Sequence, residues 1–408
     1  MAYIKRTIET TIENAAKMFS TVLITGARQV GKTTVLKHIT EDISYLTLDD
    51  PILLLNAFEE AGSFFKSTPP PVIIDEIQYA PNLFPYIKMI ADENGKRGQF
   101  YLTGSQQFKM MKNVSESLAG RIGIINLLGL SLREIKGDAD FNKAFIPTES
   151  YLETRRLSAK ELNYKEIWKI IYKGSMPAMY ADELDWQLFY GSYTKTYLER
   201  DVRELTQVGD ELKFIKFMTA MASRTSQMLN LTSIANEVGI SVPTADRWLS
   251  ILVSSNIVYL LKPYYNNIMK RAVKTPKLYF LDTGLAAYLT KWNSPDVIEA
   301  GAMSGAFFET FVLAEILKGY YNAGILEPAL YYYRDKDAKE IDIILEENGT
   351  LYPIEIKKTA NPSKEHIANF SVLDRLKDMK IGTGCVICMY DKVIHINDNN
   401  VSIPVTWL

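Results

Sequence analysis

The chain has 408 residues, 47% of them hydrophobic and 23% charged, the balance of an ordinary globular protein long enough for roughly two to three domains. With 46 Lys and Arg against 48 Asp and Glu, the formal net charge is −2, which excludes binding to nucleic acid through overall charge; any basic surface must be local. Two cysteines and three histidines exclude a disulfide scaffold and argue against zinc. No run approaches 18 consecutive apolar residues, so no membrane span is expected, and the opening Met1-Ala2-Tyr3-Ile4-Lys5-Arg6 lacks the apolar run of a leader, which predicts a reducing cytoplasm.

In chain order, Thr21–Thr25, Ser44–Leu48, Pro71–Asp75 and Gln99–Thr103 read as short, buried, β-branched strands separated by helical stretches, the pattern of a parallel sheet in an α/β layer. A polar stretch follows, with Pro147-Thr148-Glu149-Ser150 as a linker candidate, and residues 164–225 have helical periodicity rich in aromatics. The expected division is residues 1–150, 151–225 (helical), 226–295 and 296–408 (a second α/β block).

Gly26-Ala-Arg-Gln-Val-Gly31-Lys32-Thr33 fits G-x-x-x-x-G-K-[ST] between a strand and a helix. Gly26 and Gly31 allow a tight loop whose amides surround phosphate oxygens at a helix N-terminus, with Thr34 just inside it. Lys32 reaches the β- and γ-phosphates and Thr33 ligates Mg²⁺. Val72-Ile-Ile-Asp75-Glu76 is an apolar strand ending in two acids: Asp75 to hold Mg²⁺ through water, Glu76 to polarise the attacking water. Thr103 or Ser105, at the next strand end, could sense the γ-phosphate, and Arg121 could stabilise transition-state charge in this subunit or a neighbour.

These segments, with Asp75-Glu76-Ile77-Gln78, Thr103-Gly104-Ser105 and Ser117-Leu-Ala-Gly-Arg121, resemble the prokaryotic AAA-type ATPases. More narrowly, the chain resembles the branch whose C-terminal half is a domain of unknown function similar to restriction endonucleases; Tyr197-Leu-Glu-Arg-Asp201 and Leu281-Asp-Thr-Gly-Leu285 are similar to landmarks of that half. The resemblance implies an ATP-binding protein with helical and winged-helix segments after the ATPase core.

Residues 231–238 and 242–255 read as two helices around the turn Gly239-Ile240-Ser241, the first starting near a Thr cap, followed by a strand at 257–261. Lys262, Lys270, Arg271, Lys274 and Lys277 then occur with no acid before Asp282 and with Tyr264 and Tyr265 among them. That is a basic hairpin able to track DNA phosphates, with Thr244, Arg247 and Trp248 on the candidate recognition helix.

In the last block, Glu340–Leu345 and Tyr352–Lys357 flank Asn348-Gly349, the favoured two-residue hairpin turn. That turn sets Asp342 opposite Glu355 and Glu340 opposite Lys357, all on one face. Facing carboxylates repel; a divalent cation between them would reverse the sign, and Lys357 could orient water, as in metal-dependent nucleases. Glu309 would add a third acid from a helix, and the resemblance assigns Glu309, Asp342, Glu355 and Lys357 to such a site. Cys385-Val-Ile-Cys388 lies in an apolar run and reads as buried strand cysteines.

The leading expectation is an Mg²⁺-dependent ATPase that repositions its C-terminal module on nucleic acid or a protein partner, with a homo-oligomer possible. The alternatives are an ATP-gated, metal-dependent DNA nuclease and a slow nucleotide-switched interaction protein that cuts nothing.

Overall fold

The computed structural model describes residues 3–40, 42–104, 117–197, 211–265, 274–376 and 379–408. The first sheet contains β1 (Thr21–Thr25), β2 (Ser44–Thr47), β3 (Val72–Asp75), β4 (Phe100–Gly104) and β5 (Ile122–Asn126), in the order β2-β3-β4-β1-β5 with every pair parallel. Its middle strands are buried throughout, as β-branched runs covered on both faces should be. Because all strands run the same way, the carboxyl ends of β1, β3 and β4 lie on one edge. Ligands of such sheets bind at this carboxyl edge.

A helical region follows, with helices Tyr164–Lys173, Trp186–Tyr197 and Glu211–Ala222. The stretch read as a linker is instead the start of helix Glu149–Ser158, because the Thr148 side chain caps it by accepting from Tyr151 N at 3.4 Å. That helix buries Tyr151 and Arg155 against the main-chain oxygens of Thr406 and Trp407.

Among the described residues, the second sheet has ten strands. Its members are β6 (Gln227–Met228), β7 (Val258–Pro263), β8 (Lys277–Phe280), β9 (Leu330–Arg334), β10 (Glu340–Glu347), β11 (Thr350–Lys357), β12 (Lys380–Ile381), β13 (Gly384–Cys388), β14 (Ile394–Asn397) and β15 (Asn400–Pro404). The order is β14-β15-β13-β11-β10-β9-β7-β8-β6, with β12 beside β11. Parallel pairing of β7 with β9 therefore joins the strands after the two short helices to the last block, across the boundary drawn at residue 295. Those helices, Leu231–Val238 and Val242–Ser254, meet at Gly239 (φ 76°). Asn230, not a threonine, caps the first by accepting from Ser233 N at 3.0 Å.

Helix Ser304–Asn322 is buried on nearly all sides, and one apolar core runs from Val22 and Ile24 through Trp168 and Trp248 to Phe311 and Ile387. Cys385 and Cys388 are buried free thiols on β13; burial pushes the Cys388 thiol up. Among the described residues, no helix is long and apolar enough to cross a membrane.

Candidate functional site

The loop after β1 has the conformation its glycines allow. Gly26 has φ 150°, and a Cβ there would lie 2.1 Å from the Leu127 carbonyl oxygen; Gly31 has φ 93°. A side chain at either position would clash or be strained. Helix Lys32–Ile39 begins at Gly31 with no side-chain cap, and Thr34 is exposed on the first turn. Lys32 is buried, its Nζ donating to the carbonyls of Gly26 (3.0 Å) and Ala27 (2.9 Å).

Asp75 gathers three hydroxyls at the end of β3. Thr33 Oγ1 donates to its Oδ1 at 2.9 Å, Tyr45 OH donates to its Oδ2 at 2.9 Å, and Thr103 Oγ1 also donates to Oδ1. Thr103 Oγ1 in turn accepts from Glu76 N at 3.2 Å. Glu76 has φ 58°, a left-handed backbone uncommon for a non-glycine residue and typical of functional sites, and its carboxylate accepts from Gln78 Nε2. Four of the sequence-selected residues thus meet at one point. Thr33 and Asp75 supply adjacent hard oxygen donors of the kind Mg²⁺ takes, so the residues present fit that ion. Burial, and then Asp75, push the Tyr45 phenol up to about 12.

Arg121 is elsewhere. It precedes β5, and its carbonyl accepts from Thr21 N at 3.1 Å, which places it at the amino edge of the sheet, about 15 Å of strand from the loop. There it pairs with Asp92 and donates to the Ala119 carbonyl. The expected role in stabilising charge at the chain's own nucleotide is therefore corrected: the register puts this guanidinium at the wrong end. Ser105 lies outside the described residues.

Two residues had no motif to mark them. Tyr45 is one; Arg6 is the other. Arg6 is 4% exposed and donates to the carbonyls of Val30 (2.8 Å), Leu128 (2.9 Å) and Gly129 (3.3 Å), while pairing with Glu134 at 3.1 Å. Glu134 accepts from Thr7 N and Ser131 N. Arg6 thus ties the phosphate loop to the segment after β5. Further along, Leu132 N donates to Glu315 Oε2 at 2.7 Å and Lys318 Nζ to the Leu130 carbonyl at 3.0 Å, which fastens that segment to helix Ser304–Asn322.

On the second helix after residue 230, Arg247 is exposed, as are Lys262 and Lys274; Lys270 and Arg271 lie outside the described residues, as does most of the Tyr197–Asp201 landmark. Two members of the expected DNA face are corrected. Trp248 is 4% exposed and packs edge-on against Phe214 and Phe217, an apolar site on a helix remote in sequence. Lys277 is 3% exposed and points into the carboxylates of the last block.

The β10–β11 hairpin has the expected turn, and its register follows from it as far as Ile343, short of the Asp342–Glu355 and Glu340–Lys357 positions. Asn348 and Gly349 have φ 48° and 74°, and pairs run from Glu347 with Thr350 to Ile343 with Ile354. One residue beyond, Asp342 Oδ2 accepts from Ile356 N at 2.8 Å. Lys357 Nζ stands 2.6 Å from Glu355 Oε1 and 3.6 Å from Asp342 Oδ2. Glu309 Oε1 accepts from Tyr279 OH at 2.6 Å and lies 3.1 Å from Lys277 Nζ. Lys277 also pairs with Glu340 and lies 4.0 Å from Asp342 Oδ1. Burial, then the Asp342 charge, push Glu309 up to about 7 and Glu355 up to about 8. For Lys277, burial opposes the charged form, but Glu309, Asp342 and Glu340 outweigh it and raise the ammonium above the usual lysine range. Glu355 Oε2 is buried with no hydrogen-bond partner among the described residues, yet no group of three or more acids, histidines or cysteines among them is arranged to hold a metal ion.

Residues 19–136 match the family model described as an AAA domain. Residues 164–296 and 304–408 match two models described as domains of unknown function, DUF8612 and DUF4143. An uncharacterized protein of Mycobacterium tuberculosis is 27% identical over 400 residues, 94% of this chain and 79% of its own. An uncharacterized protein of Methanocaldococcus jannaschii is 22% identical over 376 residues, 88% of this chain and 79% of its own. A solved Walker-type ATPase of Pyrococcus abyssi is 14% identical, aligns with 70% of this chain and 96% of its own, and has a TM-score of 0.42. On the loop-and-strand geometry, the first sheet and its helices form a parallel α/β P-loop fold, and residues 19–136 are similar to the AAA domains.

Proposed function

We propose that the chain binds ATP with Mg²⁺ at the loop Gly26–Thr33, hydrolyses it, and uses the cycle to reposition its C-terminal module on nucleic acid or a protein partner. The observation that carries this reading is the convergence of Thr33 and Thr103 on Asp75, with the Glu76 amide donating to Thr103 beside it. Lys32 would exchange the Gly26 and Ala27 carbonyls for phosphate oxygens, and the loop amides would take the remaining anionic oxygens. Thr33 and Asp75 would hold Mg²⁺, which would neutralise phosphate charge when bound. Glu76 orients and polarises the attacking water, and Thr103 fixes the Asp75–Glu76 turn beside it.

The route to the rest of the molecule is short. Arg6 links the loop to Leu128 and Gly129, and Leu130 and Leu132 are fastened to Lys318 and Glu315. Exposed Arg247, Lys262 and Lys274 support phosphate contact by the helix pair and the strands after it. Glu355 Oε2, without a hydrogen-bond partner among the described residues and beside Asp342 and Lys357, favours a second reading, an ATP-gated metal-dependent nuclease.

The test is to assay ATP turnover by the full chain with and without DNA, alongside Glu76→Gln, and to incubate the same preparation with plasmid and Mg²⁺ or Mn²⁺. Magnesium-dependent turnover lost in Glu76→Gln supports the ATPase reading; its absence in the wild type overturns it. Plasmid cleavage decides the second reading by itself.

A further inference from the structure

The carboxylates of the last block already enclose a cation, and it is a side chain. Lys277 leaves β8, a strand held between β7 and β6, and its ammonium reaches Glu309 on the long helix and both Glu340 and Asp342 on β10. Two of those three, Glu309 and Asp342, are the acids that the nuclease reading needs for a metal ion. A lysine buried to this depth is tolerable only when paired, so the strand cannot withdraw from the acids without leaving charges of both signs stranded.

The charge balance points the same way. Around this point the described residues place the four carboxylates Glu309, Glu340, Asp342 and Glu355 against Lys277, Lys357 and Arg334, the last 2.9 Å from Glu340. Counted with all four acids ionised, the group carries one net negative charge with Lys277 in place. Without its charge, two negatives remain, which is the complement of one divalent cation. An ion held directly by Glu309 and Asp342 would sit within a few ångströms of the ammonium and be repelled by it.

We propose that Lys277 is a tethered competitor of divalent cations: it occupies the cation position between Glu309, Glu340 and Asp342, and a divalent ion is admitted only when the ammonium leaves. The inference concerns the second reading above and is independent of ATP binding.

The experiment is a titration of the nucleotide-free full chain with Mn²⁺, followed by electron paramagnetic resonance of the free ion. Samples are the wild type, Asp342→Asn, Lys277→Met, and Lys277→Met combined with Asp342→Asn. The wild type and Asp342→Asn should take up Mn²⁺ alike. Lys277→Met should gain one ion per chain bound at least tenfold more tightly than anything in the wild type, and adding Asp342→Asn should remove it. Lys277→Gln, whose amide keeps hydrogen bonds to the acids without the charge, carries the same test if Lys277→Met does not fold. A wild-type site lost in Asp342→Asn and not tightened by neutralising Lys277 would overturn the proposal. So would Lys277 variants that fold and bind no additional ion. ATP affinity measured on the same samples should be unchanged throughout, which separates failure here from failure of the ATPase reading.

Discussion

Thr33 and Asp75 are 42 residues apart in the chain and joined by a 2.9 Å hydrogen bond from the threonine hydroxyl to the aspartate Oδ1. This contact brings the phosphate loop and the acidic strand end into one site, because β1 and β3 lie on either side of β4 and all three open on the same edge. Thr33→Ala would break the link without disturbing the loop glycines. Mg²⁺-dependent ATP affinity should fall about tenfold or more, the scale of one charge-assisted hydrogen bond, while nucleotide affinity measured in EDTA changes little. Equal losses with and without Mg²⁺ would assign Thr33 to the phosphates instead.

Lys32→Ala removes a buried point charge that bonds two loop carbonyls. The expected outcome is ATP binding weaker by about 10- to 100-fold in a folded protein, checked by titration calorimetry with circular dichroism on the same sample. Undiminished affinity would refute the loop assignment.

Glu76→Gln keeps the shape of the side chain and its reach to Gln78 but not its charge. It should bind ATP normally and hydrolyse it at least about tenfold more slowly, within the roughly 10²–10⁴ contribution of a general base. Single-turnover measurement separates this from slow product release.

Arg6→Met should destabilise the protein by about 3–5 kcal/mol, because it leaves Glu134 as a buried charge without its cation and removes donors from the carbonyls of Val30, Leu128 and Gly129. Urea unfolding measures the loss. A change below about 1 kcal/mol would show that Arg6 does not brace the loop.

Lys136 tests the pH dependence. Its Nζ is buried without a hydrogen-bond partner among the described residues, and burial, then Arg155, pull it down to about 8 from its ordinary 10.5. Between these values the unfolded chain holds more protons than the folded one, so the wild type gains stability as pH rises through that window. Lys136→Met should exceed the wild type in melting temperature at pH 7, and the gap should close as pH rises from about 8 to 10.5. A constant gap would mean that the ammonium is not what destabilises the site.

For the phosphate-contact reading, Arg247→Glu with Lys274→Glu should weaken binding to DNA of any sequence and lower the salt slope by about one per lost contact. A wild-type chain that shows no DNA binding at low salt in a mobility-shift assay would make this face a packing or protein surface.

Much of the fold was legible because its signals are local. The β-branched runs gave β1 to β4 to within a residue or so at each end, and Asn348-Gly349 set the hairpin register, since a two-residue turn leaves only one pairing. The phosphate loop announced itself by spacing. What failed to show were properties set by distant partners. A lysine reads the same in a sequence whether water or three carboxylates surround it, so Lys277 joined the basic strip. Trp248 looked available because the rings that bury it, Phe214 and Phe217, come from another helix. Arg121 had a plausible sequence context but sat at the amino edge, a fact that only the parallel register discloses. Tyr45 and Arg6 carry no motif; their partners, Asp75 and the carbonyls of Val30, Leu128 and Gly129, are distant in the chain.

Helix Ser304–Asn322 holds Glu309 against the Lys277 ammonium and, six residues on, Glu315 against the Leu132 amide. Six residues are about 9 Å of helix, and the intervening Thr310-Phe-Val-Leu-Ala314 contains neither glycine nor proline to let it hinge. Glu309 and Glu315 are therefore two fixed points on one rod. A sideways shift of this helix at Leu130–Leu132 is therefore also a translation of Glu309 relative to β8.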